Sequence, residues 1–173
     1  MRVTAIVSAY YAEQYLDGRI QNLLDQSEKP EIVVICKDPS PELDIARKYD
    51  VRIIVTPDVP GIYEAWNMGI RAASGKYLTS ANSDDRFYPG ALKQMADILD
   101  KESTYGVVYA DVDIVEDIDA EPVRTFNWME GGLPELLKGC FIGPMPLWRK
   151  SLHDRFGYFD ESLKVAGDYE YWL

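Results

Sequence analysis

The 173-residue chain carries 18 Lys and Arg against 29 Asp and Glu, a formal net charge of −11, and 47% of its residues are hydrophobic. Those values suit one soluble globular domain with its own core, and the charge opposes sequence-independent attraction to a nucleic-acid backbone. No run approaches the roughly 20 apolar residues that span a bilayer, and Met1 to Tyr11 passes straight into strand-like sequence instead of a cleavable leader. The expected location is therefore the cytoplasm or the periphery of a membrane, and an anionic small ligand would need a cation to bridge it to so acidic a protein.

Short β-branched runs alternate with amphipathic stretches through the first two thirds of the chain. Strands are predicted over Val3 to Val7, Glu31 to Cys36, Val51 to Val55, Lys76 to Ser80 and Tyr105 to Ala110. Helices are predicted over Glu13 to Gln26, Pro41 to Tyr49, Gly61 to Ala73 and Pro89 to Leu99. The alternation predicts an α/β, mostly parallel Rossmann-like sheet with helices on both faces. From Asp113 onward the sequence reads as loop-rich, with an acidic patch from Glu116 to Glu121 and a Gly/Pro-rich segment from Gly139 to Pro146. His153, the only histidine, is expected on a surface helix, and Cys36 and Cys140 are expected as buried free thiols. The chain stops at Tyr171-Trp172-Leu173, within what reads as the first turns of a helix, the pattern of a domain truncated at its C-terminus.

Open sheets of this kind bind ligands beyond the carboxyl ends of their strands. Those positions hold Ser8-Ala9-Tyr10, Lys37-Asp38, Pro57-Asp58, Asn82-Ser83-Asp84-Asp85 and Asp111-Val112-Asp113, so acidic residues recur along one edge. The tetrapeptide Asn82 to Asp85 follows an apolar strand and can project two carboxylates from a turn, the ligand type that Mg²⁺ or Mn²⁺ prefers. It can equally cap the helix that follows, and Asp38 can equally belong to a plain turn. Asp168, by itself, reads as a cap of the last helix. The chain lacks a G-x-x-x-x-G-K-[ST] loop, a G-x-G-x-x-G turn after a strand and a conventional triad, which leaves ATPase, dehydrogenase and serine or cysteine nucleophile chemistry without their motifs.

Gly61-Ile62-Tyr63-Glu64-Ala65-Trp66-Asn67-Met68-Gly69-Ile70-Arg71, then Ala73-Ser74-Gly75-Lys76-Tyr77, the tetrapeptide, and Gly157-Tyr158-Phe159-Asp160-Glu161 leading to Ala166-Gly167-Asp168-Tyr169-Glu170 stand in a specific order. In that order and spacing the chain resembles family 2 glycosyltransferases of the GT-A fold. The resemblance implies a single GT-A-like domain over residues 1–173 and an inverting transfer from a nucleoside-diphosphate sugar to a glycan, lipid-linked or other hydroxyl acceptor.

Through the resemblance, Asn82 and Asp84 match the two acids of a DXD motif, with Asp84 and Asp85 as the metal ligands for Mg²⁺ or Mn²⁺. Ala9, Tyr10, Asp38, Asn67, Asn82 and Asp84 are the implied nucleotide-sugar-binding residues, and Asp168 the implied catalytic base. The chain departs from the family pattern with Asn82 for the first DXD acid, Lys37 for the first acid of an Asp-Asp-Gly-Ser turn, Tyr11 for an Asn and Gly167 for a Glu. A noncatalytic nucleotide-sugar-binding domain and a nucleotidyltransferase are the alternative functions.

Overall fold

A computed structural model describes every residue of the chain except Asp119. The elements, in chain order, begin with β1 (Val3–Ser8), α1 (Glu13–Leu24), β2 (Glu31–Lys37), α2 (Pro41–Ala46), β3 (Arg52–Thr56), α3 (Ile62–Ala72), β4 (Tyr77–Ser80) and α4 (Ala91–Lys101). They continue with β5 (Val107–Val108), β6 (Val112–Ile114), β7 (Arg124–Phe126), α5 (Leu133–Leu136), β8 (Leu147–Arg149), α6 (Ser151–Phe156) and α7 (Gly167–Trp172).

The main sheet has the order β3-β2-β1-β4-β8-β5. β1 pairs in parallel with β2 on one side and β4 on the other, while β8 runs antiparallel between β4 and β5. The strands are apolar along both faces because both faces are covered. Val3, Ala5 and Val7 of β1 point to one side, where Leu16, Ile20 and Leu23 of α1 and Leu92, Met95 and Leu99 of α4 close a core. Ile6, with Val33 and Ile35 of β2, points to the other side and meets Ile70 of α3, Trp148 and Phe159. Gly69 lets α3 lie close to the sheet, since a Cβ there would sit 2.4 Å from Ile6. Ser40 starts α2 by accepting a hydrogen bond from the Leu43 N–H at 3.1 Å, with Pro41 in the first helical position.

The predicted parallel core is therefore present, and three expectations about the later sequence are corrected. The strand predicted over Tyr105 to Ala110 is only the short edge strand β5, and beside it β8 emerges from the Gly/Pro-rich segment. Three residues directly after Pro146 carry too little periodicity to be read as a strand; pairing with both β4 and β5 is what makes β8 one. Cys36 is buried, and that burial pushes its thiol up to about 11, but Cys140 is exposed. Among the described residues no helix is long and apolar enough to cross a membrane.

His153 is buried as well, with 5% of its surface exposed. Because Trp148 lies in the sheet and not on a helix face, the following turn of α6 folds the imidazole beneath it. Trp148 Nε1 donates to His153 Nε2 at 2.8 Å, which assigns the ring proton to Nδ1, facing the Gly157 carbonyl at 2.8 Å. Burial holds the imidazole below its ordinary value of 6.5, against the opposing pull of the Gly157 carbonyl and Asp154. A base whose folded pKa is depressed stabilises the fold above the unfolded value and loses that contribution as pH falls through the folded one. Equilibrium denaturation should thus show stability declining from about pH 6.5 downward, and His153→Phe should flatten this part of the profile; an unchanged slope in the variant would contradict the assignment.

Candidate active site

The chain leaves β1 toward β2 and later returns to β4 on the other side of β1, so the sheet changes direction at the carboxyl ends of β1 and β4. The two exits are tied together there. Ala81 N–H donates to Ile6 O at 2.8 Å, Ser83 Oγ to Ser8 O at 3.2 Å, and Ala9 N–H to Ile35 O at 2.8 Å across the β1–β2 side.

Two cavities open on this edge. The smaller, about 240 Å³, lies between the ends of β1 and β4 and is lined by Ser8, Tyr15, Ile62, Trp66, Asn82 and Asp84, among others. The larger, about 890 Å³, lies between the ends of β1 and β2, with Gln14, Lys37, Pro39, Ser40 and Lys48 in its walls. Tyr10 and Tyr11 line both and form the ridge between them. Tyr10 is fixed, its hydroxyl 3.0 Å from Thr56 Oγ1.

The tetrapeptide does not cap α4. That helix begins at Gly90 with no side-chain cap. Instead Asn82 Nδ2 donates to Asp85 Oδ2 at 2.8 Å, which orients one carboxylate, while Asp84 is exposed at the small cavity. The turn is held from beneath by two guanidinium groups that sequence reasoning did not single out. Arg86 donates to the carbonyls of Ser83 (2.8 Å), Asp85 (2.7 Å) and Tyr15 (3.0 Å). Arg19, buried in α1, donates to Asp85 O at 3.0 Å and Asn22 Oδ1 at 3.1 Å, and lies over the Phe87 ring at 4.8 Å. Burial and then the charge of Arg86 lower Arg19 to about 9, with Asp85 and Asp84 pulling the other way. A lone Arg on the buried face of an otherwise amphipathic helix was the available signal.

No group of three or more His, Cys, Asp or Glu among the described residues is placed to hold a metal unaided. A site with one exposed carboxylate and one oriented neighbour fits Mg²⁺ or Mn²⁺, which take one or two protein carboxylates and complete their shell with water and substrate phosphates.

Asp168 lies in the first turn of α7, whose N-cap is Ala166, without a side-chain cap. The Tyr63 hydroxyl bridges this turn to α3: it accepts from Gly167 N–H at 2.8 Å and donates to Asp168 Oδ1 at 3.1 Å. A Cβ at Gly167 would stand 2.6 Å from the Tyr63 ring, so the bridge needs glycine there. Ile62 and Trp66, either side of Tyr63 in α3, line the small cavity, whereas Asp168 itself lines neither cavity and is tied to α3 through the Tyr63 hydroxyl.

The remaining expected residues fall as follows. Ala9 is buried, with its backbone in the β1–β2 ladder. Asp38 is exposed, and the turn faces the larger cavity through Lys37, Pro39 and Ser40 instead. Asn67 has a different task from the nucleotide-sugar contact expected of it. It is buried away from both cavities, donating to Phe159 O and Glu161 Oε1, each at 2.9 Å, and accepting from Phe159 N–H at 3.1 Å. Asp111 and Asp113, at the same edge, accept from Trp128 N–H, Thr125 and Tyr88 and so brace the β6–β7 hairpin.

A family model described as glycosyl transferase family 2 matches residues 4–159. The chain belongs to that family. It is 30% identical, over 96% of its length, to the succinoglycan biosynthesis protein ExoO of Rhizobium meliloti, and 26% identical, over 99%, to an uncharacterized glycosyltransferase of Rickettsia conorii. It spans 53% of the first relative and 30% of the second. Among solved structures, S. aureus TarS 1–349 in complex with UDP superposes with a TM-score of 0.78 at 22% identity, covering 99% of this chain and 54% of that one. A mannosyltransferase of Pyrobaculum calidifontis, in complex with GDP-Man and Mn²⁺, gives 0.67 at 20% identity over 98% of this chain and 50% of that one. The fold is GT-A.

Asn67→Leu should leave the Phe159 N–H and C=O without partners, at a cost of about 1–3 kcal/mol. Chemical denaturation measures the loss, and hydrogen exchange should speed up at Phe159 to Glu161; a variant as stable and as protected as the parent would return Asn67 to the list of ligand contacts.

Proposed function

We propose that the chain binds a nucleoside-diphosphate sugar and transfers its sugar, with inversion, to the hydroxyl of a glycan, lipid-linked or other acceptor. The observation that carries this reading is the trough made by two adjoining cavities that share Tyr10 and Tyr11, with exposed Asp84 in one and a larger pocket of mixed polar and apolar lining as the other. Its smaller end suits the diphosphate and its larger end the nucleoside. Family membership supports the reaction class, and the UDP, UDP-GlcNAc and GDP-Man complexes of the structural neighbours support the donor class.

In this reading Asp84 is the principal carboxylate for Mg²⁺ or Mn²⁺. Asp85, oriented by Asn82, would be the second carboxylate available to the ion. The cation, when bound, offsets charge that builds on the departing diphosphate. Tyr10 walls the nucleoside end, backed by buried Ala9, and Asp38 stands beside the mouth of that pocket. Lys37 contributes a donor where an acid would have supplied an acceptor, so the base edge it meets is an acceptor. Asp168, oriented through the Tyr63 hydroxyl, takes the proton of the acceptor hydroxyl as that oxygen attacks the anomeric carbon. Attack from the face opposite the leaving group is what inverts the configuration.

Titration calorimetry with UDP and GDP tests the donor site. Binding should require Mg²⁺ or Mn²⁺ and vanish in EDTA, and Asp84→Ala should lose the metal-dependent part while unfolding at an unchanged temperature, because an exposed turn carboxylate contributes little to the core. Equal nucleotide affinity with and without EDTA would overturn the metal bridge.

Asp168→Asn tests the base. The amide keeps the shape and can still meet the Tyr63 hydroxyl, so donor affinity should persist while sugar transfer falls by at least about 10²-fold. Near-normal turnover in this variant would eliminate Asp168 as the base.

A further inference from the structure

Tyr11 is the one residue of the trough whose conformation serves neither the backbone nor the core. Its φ is 55°, in the left-handed region that bulky L-residues rarely adopt. Its side chain is 88% exposed, and among the described residues no hydrogen bond or ring contact holds it. Its neighbours leave it no alternative. Ala9 N–H is fixed to Ile35 O and the Tyr10 hydroxyl to Thr56; on the other side the buried Glu42 carboxylate accepts from Ala12 N–H at 2.8 Å, just where α1 begins. The chain must turn between these anchors, and the left-handed residue presents its side chain to solvent over the ridge. Asn or Gly would meet the backbone requirement with less strain. Strain of this kind persists where the surroundings over-determine it and concentrates at ligand clamps.

What distinguishes this position is that the unanchored ring lines both cavities at once. A ligand long enough to occupy the trough must pass it. We propose that Tyr11 is an affinity-determining residue of the donor site, an aromatic cover that stacks on the nucleoside part of the bound sugar nucleotide while Tyr10 remains a fixed wall. The inference rests on the donor-site reading above. The cover closes by rotation of the side chain alone, because the backbone is held on both sides. Every base has a π-face, so such a cover raises affinity for different nucleosides alike and leaves base choice to the pocket beneath it. It does nothing for a ligand that has no nucleoside.

The test uses the chain as it stands with Tyr11→Asn and Tyr11→Phe, titrated in Mg²⁺ with UDP, GDP and inorganic pyrophosphate, together with thermal unfolding of each variant without ligand. Tyr11→Asn should unfold at the same or a higher temperature, since Asn tolerates the left-handed backbone, yet bind UDP and GDP about ten-fold or more weakly with pyrophosphate unchanged. Tyr11→Phe should bind both nucleotides within about two-fold of the parent, because the ring and not the hydroxyl carries the contact. Parental nucleotide affinity in Tyr11→Asn would overturn the cover, as would equal losses for nucleotides and pyrophosphate. If the parent binds pyrophosphate and neither nucleotide, the donor-site reading itself fails; if the parent binds nucleotides and only the variant pattern is absent, the cover alone fails.

Discussion

β1 is hydrogen-bonded along both edges and covered on both faces, and that placement constrains everything at the site. With β2 on one side and β4 on the other, the exits of three strands converge, and the residues after them cannot pack back into the sheet. They must turn outward along one edge. The trough follows from that: its floor is the set of backbone bonds joining Ser8, Ala9 and Ala81 to their neighbours, and its walls are whatever side chains the exits carry. A one-residue slip of β1 against either partner would exchange its core faces and bury Tyr10 or Ser8 in place of Val7.

Around this fixed edge, two supports position the chemistry. Below the acidic turn, Arg19 and Arg86 hold carbonyls and so fix the loop while leaving the Asp84 carboxylate free to face the cavity. An interior guanidinium with no carboxylate partner is a costly choice for stability alone. Its place under a turn of two acids makes it a local counter-charge. On the far side, α3 docks the closing segment twice, through Asn67 to Phe159 and Tyr63 to Asp168. The same helix presents Ile62 and Trp66 to the small cavity, so a single rigid element sets the relation between the acidic turn and Asp168.

The parallel core was legible because it obeys local rules: β-branched runs, helical periodicity, Pro41 after Ser40, and turn residues between them. The post-strand positions were legible for the same reason, since topology alone points to that edge. What the sequence could not disclose depends on partners far away in the chain. β8 is a strand because β4 and β5 flank it, His153 is buried because Trp148 is in the sheet, and Asn67 is structural because Phe159 returns to it. Arg19 had a weak signal, a cation on an apolar helix face, but its carbonyl partner lies 66 residues away. Family resemblance pointed to Asp84 and Asp168; it did not show that a tyrosine hydroxyl and a glycine hold the turn that carries the latter.

The central claim is that the trough holds a sugar nucleotide with its diphosphate bridged to Asp84 by a divalent cation. Anomalous diffraction at the manganese edge, from crystals grown with UDP or GDP and Mn²⁺, tests it most directly. The account predicts one manganese peak within coordination distance of an Asp84 carboxylate oxygen and of the diphosphate, with the nucleoside lying past the Tyr10–Tyr11 ridge toward Lys37 and Ser40. A manganese peak elsewhere, or nucleotide seated with its diphosphate away from Asp84, would contradict it.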